Sequence, residues 1–197
     1  MKIVGITGGI GSGKSTVCEI FKILDIPVYQ ADDRAKFLMQ HHTGLISSIT
    51  DLFGEEAYQD GKLNRPYLAN AIFNDAEKTK KINGLVHPLV GEDFKTWIKS
   101  QGDAPYVLKE AALMIESGSY KQLDVMINVY TPIETRIQRV QKRDPHRSIE
   151  EIKGIIDKQV NEETRSELAD FILNNDGKKL IIPQVLSIHA QLMDSSS

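Results

Sequence analysis

The chain has 197 residues, 41% hydrophobic and 26% charged, with a formal net charge of −3, enough for one α/β domain with a sizeable core and an insertion. Lysine and arginine are spread without a basic tract, which argues against a nucleic-acid footprint, and no apolar run is long enough for a membrane span. A single cysteine, Cys18, excludes an intramolecular disulfide, and the expectation is a soluble, cytoplasmic protein, a monomer or weak homo-oligomer.

Residues 2–7 form a short apolar run that reads as a buried strand. Residues 8–15 read Gly-Gly-Ile-Gly-Ser-Gly-Lys-Ser, the spacing of a phosphate-binding loop. Its glycines let the backbone wrap an anion with successive N–H groups pointing inward. Lys14 is placed to reach the outer phosphates, and the Ser15 hydroxyl to hold magnesium. A helix over about 14–24 follows, with Val17, Ile20, Phe21 and Leu24 on one face. Its amino end adds unpaired N–H groups and partial positive charge. Pro27-Val28-Tyr29 begins a second strand, and Asp32 and Asp33 come directly after it. Strand ends in a parallel sheet gather on one edge, so these carboxylates are expected on the edge of the loop.

Residues 34–98 break the alternation and read as mostly helical. Asn64-Arg65-Pro66 is a helix start, and Asp75 a cap for the next helix. This stretch is too long for a simple crossover and reads as an inserted helical subdomain, suited to a second substrate. Tyr106-Val107-Leu108 resumes the sheet, and 124–130 is the clearest strand of the chain. A long helical region with a break at Pro145 comes next. Phe171-Ile172-Leu173 is a last strand, ended by the turn Asn174-Asn175-Asp176-Gly177, and 183–193 suits a closing helix. The final Asp-Ser-Ser-Ser reads as a frayed tail.

Arg136, Arg139 and Arg143 are spaced to share a helix face. Phosphoryl transfer spreads negative charge over the phosphoryl oxygens, which arginine forks stabilise. The bland alternative is a solvated basic face. Asp32 is the candidate carboxylate to orient an acceptor hydroxyl and take its proton; a loop aspartate capping the next helix is the competing reading. The five histidines show no metal spacing. A kinase of a nucleoside, nucleotide or small metabolite fits the loop and the arginines equally well. A nucleotide switch is disfavoured, because no Asn-Lys-x-Asp guanine-reading segment is present.

The chain resembles the dephospho-CoA kinases along nearly its whole length. The resemblance rests on Gly5 to Thr16, Ala31-Asp32, Leu52-Phe53-Gly54, Asp60 to Arg65, Ile72-Phe73, His87-Pro88, Leu113 with Glu116, Asp124, Arg139 to Asp144, Gln159, Arg165 and Asn174-Asn175. It implies a three-layer α/β fold of the P-loop nucleotide-kinase kind with a five-stranded parallel sheet. The implied core is 1–33 with 100–135 and 165–197. A helical acceptor-binding insertion spans 34–99, and a lid 136–164. The implied reaction is phosphorylation of the ribose 3′-hydroxyl of dephospho-CoA by ATP with magnesium, giving coenzyme A and ADP. ATP would lie on Gly8, Gly9, Ile10, Gly11, Ser12, Gly13, Lys14, Ser15 and Thr16, with Arg143 and Asn174. Asp32 takes the place of the catalytic base. Arg139 and Arg143 fall in the lid-and-phosphate region, and Arg65 and His87 in the acceptor region. The chain also departs from the family pattern. Asp-Ala-Asp becomes Gln30-Ala31-Asp32, a lid-helix glutamine becomes Arg136, and the Pro-Leu-Leu-Phe-Glu segment begins with Ala112. Lys109 and Glu110 are charged at the end of a buried strand.

Overall fold

The computed structural model describes residues 1–73 and 75–194. The end of the expected tail, Ser195–Ser197, lies outside the described residues. The chain divides into two compact units, residues 1–30 with 101–197, and residues 31–100.

In chain order the elements are β1 Lys2–Thr7, α1 Lys14–Ile23, β2 Val28–Gln30, α2 Ala31–His41, α3 Thr43–Phe53, the short strands β3 Tyr58–Gln59 and β4 Lys62–Leu63, α4 Arg65–Phe73 and α5 Ala76–Lys99. Then come β5 Tyr106–Glu110, β6 Val125–Tyr130, α6 Ile133–Arg143, α7 Ile149–Asp157, α8 Glu162–Leu168, β7 Phe171–Asn174 and α9 Ile181–Asp194.

The first unit is built on a parallel sheet in the order β2-β5-β1-β6-β7. Side chains alternate across it with period two. Val4, Ile6, Tyr106, Leu108, Ile127, Val129 and Leu173 pack with Val17, Cys18 and Phe21 of α1 and Val185, Ile188 and Leu192 of α9. Each such side chain, fully buried, contributes about 1.5–3 kcal/mol. The opposite face carries Asn128, wholly buried, which donates to Glu162 Oε1 (2.6 Å) and Ser166 Oγ (3.2 Å) of α8. Helices on both faces make three layers. Asp124 stands just ahead of β6 rather than in it, and its carboxylate accepts from the Ile3 N–H at 2.6 Å.

The region after β6 contains two interruptions where one was expected. The first, Asp144–Ser148, includes Pro145. The second, Lys158–Asn161, has no proline. Ser148 and Asn161 each accept from the N–H three residues on, and Glu151 closes a capping box with Ser148. Two capped starts thus divide the segment into α6, α7 and α8.

The second unit is helical. Leu38, Leu45, Ile49, Phe53, Leu68, Ile82, Val86, Val90 and Phe94 are buried in it. Arg34 of α2 grips Asp93 of α5 through two hydrogen bonds of 2.9 and 2.6 Å. Asp75 caps α5 by accepting from Lys78 N. Pro88 lies inside α5, a 24-residue helix. The β3–β4 hairpin was not read from the sequence. Its two-residue loop is Asp60-Gly61, both at positive φ (51° and 71°), as a primed hairpin turn requires.

Candidate active site

The loop between β1 and α1 is held from several sides. Its Lys14 turns back over it and donates from Nζ to the Gly8 carbonyl at 2.9 Å. Gly13 is at φ 92°, a left-handed conformation that leads into α1, and a Cβ there would collide with the Asn175 amide. The Ser12 carbonyl collects hydrogen bonds from Asn175 Nδ2 (2.7 Å), Thr131 Oγ1 (3.0 Å) and Arg139 (3.5 Å). Gln159 Oε1 accepts from the Ile10 N–H at 2.8 Å. The loop is therefore tied to the end of β6, to α6, to the turn after α7 and to the turn after β7. Ser15 and Thr16 lie exposed in the first turn of α1.

The three arginines of α6 have different surroundings. Arg136 is buried, 6% exposed, with its guanidinium so close to Gly9 that a Cβ on that glycine would fall on it. Burial, reinforced by the charge of Arg165, pulls its pKa below the usual guanidinium value. Arg139 donates to the Asn175 carbonyl at 3.0 Å and reaches Thr131 Oγ1 at 3.4 Å. Arg143 is mostly exposed and pairs with Asp144 through bonds of 3.1 and 2.8 Å.

Arg136 lines a cavity of about 510 Å³ with Thr131, Gln159, Val160, Glu162 and Arg165. Arg165 is 2% exposed and is satisfied by Glu162 Oε2 (2.8 Å) and the Val160 carbonyl (2.6 Å). Cys18 lies on the buried side of α1. Its thiol is pushed up to about 12, first by burial and then by the nearby Glu110 charge, so it is a packing group rather than a nucleophile.

The structure brings Gly8 to Thr16, Arg139 and the β7–α9 turn together in the first unit. The Asn174 backbone is engaged with Gln184, at 2.9 Å in each direction, while Asn175 is the residue that reaches the loop. Asp32, Arg65 and His87 belong to the second unit, at exposed positions of α2, α4 and α5. Asp32 is two residues beyond the end of β2, in the first turn of α2. Sequence reasoning did not single out Thr131, Asn175 or Gln159 as loop supports. Gln159 and Asn175 stood among the residues of the family resemblance, which was the available signal.

No helix of the described residues is long and apolar enough to cross a membrane, and they hold no cluster of three His, Cys, Asp or Glu that could hold a metal ion.

The dephospho-CoA kinase family model matches residues 2–180. A dephospho-CoA kinase of Bacteroides fragilis (strain YCH46) is 38% identical over 189 residues, covering 96% of this chain and 92% of that protein. A dephospho-CoA kinase of Pasteurella multocida (strain Pm70) is 38% identical, covering 97% and 95%. Among solved structures, a dephospho-CoA kinase from Campylobacter jejuni superposes with a TM-score of 0.71 at 25% identity, over 100% of both chains. A shikimate kinase from Acinetobacter baumannii, at 17% identity and a TM-score of 0.55 over 99% and 94% of the two chains, shares the fold. The glycine-rich loop at the head of the parallel sheet is thus carried by a chain that belongs to the dephospho-CoA kinase family.

Proposed function

We propose that the protein transfers the γ-phosphoryl group of ATP to the ribose 3′-hydroxyl of dephospho-CoA, giving coenzyme A and ADP in the cytoplasm. The observation that carries this reading is the loop Gly8–Thr16. Its backbone is already braced by Thr131, Arg139, Gln159 and Asn175, so the loop holds its curvature before phosphates arrive.

Lys14 exchanges the Gly8 carbonyl for the outer phosphate oxygens as ATP enters. Arg139 and Arg143 stabilise charge on the phosphoryl oxygens, and within residues 136–164 the part that lies beyond the loop-bracing Arg136 and Arg139 and short of Gln159 acts as a lid that excludes water. Arg143 is the exposed one of the pair and gives up Asp144 to reach the phosphate. Asn174 borders the nucleotide. Asp32 orients the 3′-hydroxyl and takes its proton, while Arg65 and His87 hold the acceptor.

Magnesium fits the residues present. The Ser15 hydroxyl is exposed beside Lys14 and is a hard oxygen donor. A magnesium ion at ATP needs only one or two protein ligands beside phosphates and water. When bound it neutralises charge between the β- and γ-phosphates.

Product identification tests the reading. ATP with dephospho-CoA is expected to yield ADP and coenzyme A; release of ADP only with another hydroxyl acceptor would overturn the substrate assignment. Asp32→Asn is expected to lower kcat by about a hundredfold with ATP affinity unchanged. Near-normal turnover would remove Asp32 from the mechanism.

A further inference from the structure

Glu110 is a carboxylate at the end of a buried strand, 9% exposed. Tyr106 and Leu108 of the same strand belong to the core under α1, so by alternation Glu110 points to that face. Its Oε1 is 4.0 Å from Lys14 Nζ. Because β5 is hydrogen-bonded to β1, its carboxyl end opens on the edge from which the phosphate loop springs. On the other side its cross-strand partner is Gln30. Gln30 lies on the same face, with its Oε1 3.5 Å from Lys22 Nζ of α1, and supplies no charge. Among the side chains of β1, β2 and β5, Glu110 therefore brings the carboxylate to the α1 side of this edge.

We propose that Glu110 is the metal-side carboxylate of the site, which with Ser15 would hold the magnesium ion that accompanies ATP. The proposal rests on the reading of residues 8–16 as the ATP site. Burying a carboxylate is costly unless a cation or several donors answer it. Lys14 contributes to that role before ATP enters. When Lys14 turns to the phosphates, a magnesium ion bound with ATP would supply the cation that answers Glu110, whose oxygen is a donor that a hard cation prefers. The charged pair Lys109-Glu110 thereby separates into two residues on opposite faces. Lys109 is 5% exposed on the far side, where burial pulls its pKa down.

The test is equilibrium binding of ATP with magnesium and with excess chelator, a measurement that needs no turnover. Wild-type protein is expected to bind ATP more tightly with magnesium. Glu110→Gln, of nearly equal size, is expected to reduce that magnesium-dependent gain by about 10–100-fold, with metal-free ATP binding unchanged or tighter. Glu110→Asp should keep most of the gain. Gln30→Asp in the Glu110→Gln protein should restore part of it, because residue 30 is the strand neighbour on the same face. Thermal melts establish that each variant is folded. Equal weakening of both binding modes in a folded Glu110→Gln protein would make Glu110 a support for Lys14 alone and overturn the proposal. An unchanged gain in that variant would overturn it as well. A wild-type protein that binds no ATP would bring down the loop reading itself, and this proposal with it.

Discussion

The two ends of α6 carry arginines in opposite conditions. Arg136, near the amino end, is 6% exposed and pressed against Gly9 of the phosphate loop. Arg143, at the carboxyl end, has a side chain 61% exposed and pairs with the Asp144 carboxylate. Arg139 stands between them, holding the loop and the β7–α9 turn together. Helical spacing makes the three look equivalent, but depth along the helix separates them. The amino end belongs to the floor of the loop, whereas the carboxyl end keeps a charge that a ligand can reach.

The largest effect expected is on the loop that the floor supports. Lys14→Ala should lower kcat/KM by about a thousandfold, read by coupled ADP release on protein that calorimetry shows to be folded. A fully active variant would contradict the loop reading. Arg143→Ala should lower kcat by about a hundredfold and leave the melting temperature in place, because the side chain is mostly in water. Unaltered turnover would give the exposed end no role and erase the contrast. Gly9→Ala should act oppositely, costing about 1–3 kcal/mol of stability because the new methyl group meets the Arg136 guanidinium. That loss should shrink in the Gly9→Ala, Arg136→Ala double variant. Strict additivity of the two melts would show that the contact does not govern the floor. Ser148→Ala, which opens the capping box of α7, should cost about 1 kcal/mol, or about 2–4 °C in a chain of this size. No shift would mean that α7 does not depend on its cap.

Much of the first unit was legible because each element carries its own signal. Residues 2–7 form an unbroken apolar run, the loop has fixed glycine spacing, and the strand after Asp124 is equally plain. The helical character of residues 34–98 could also be read, since Pro66 and Asp75 mark two helix starts. Asp60-Gly61 belongs to a hairpin of two-residue strands, too short for alternation to show. The split before α8 was hidden because Asn161, its cap, is chemically ordinary without knowledge of where the chain turns. The depth of Arg136 was unreadable for another reason. It depends on Gly9, 127 positions earlier, and only the folded backbone brings the two together. Glu110 is similar, an oddity in a strand until Lys14 and Gln30 become its neighbours.

The strand order also bears on biosynthesis. β1 leaves the ribosome well ahead of its sheet neighbours β5 and β6, which begin at Tyr106 and Val125. The phosphate loop therefore emerges long before the edges that will flank its strand. Non-local pairings of this kind slow folding, because chain closure must precede any gain from contact. Residues 31–100 face no such delay, since the unit is continuous in sequence. In vectorial synthesis the helical unit is complete while β1 still lacks its partners, and the unit built on the parallel sheet assembles after it.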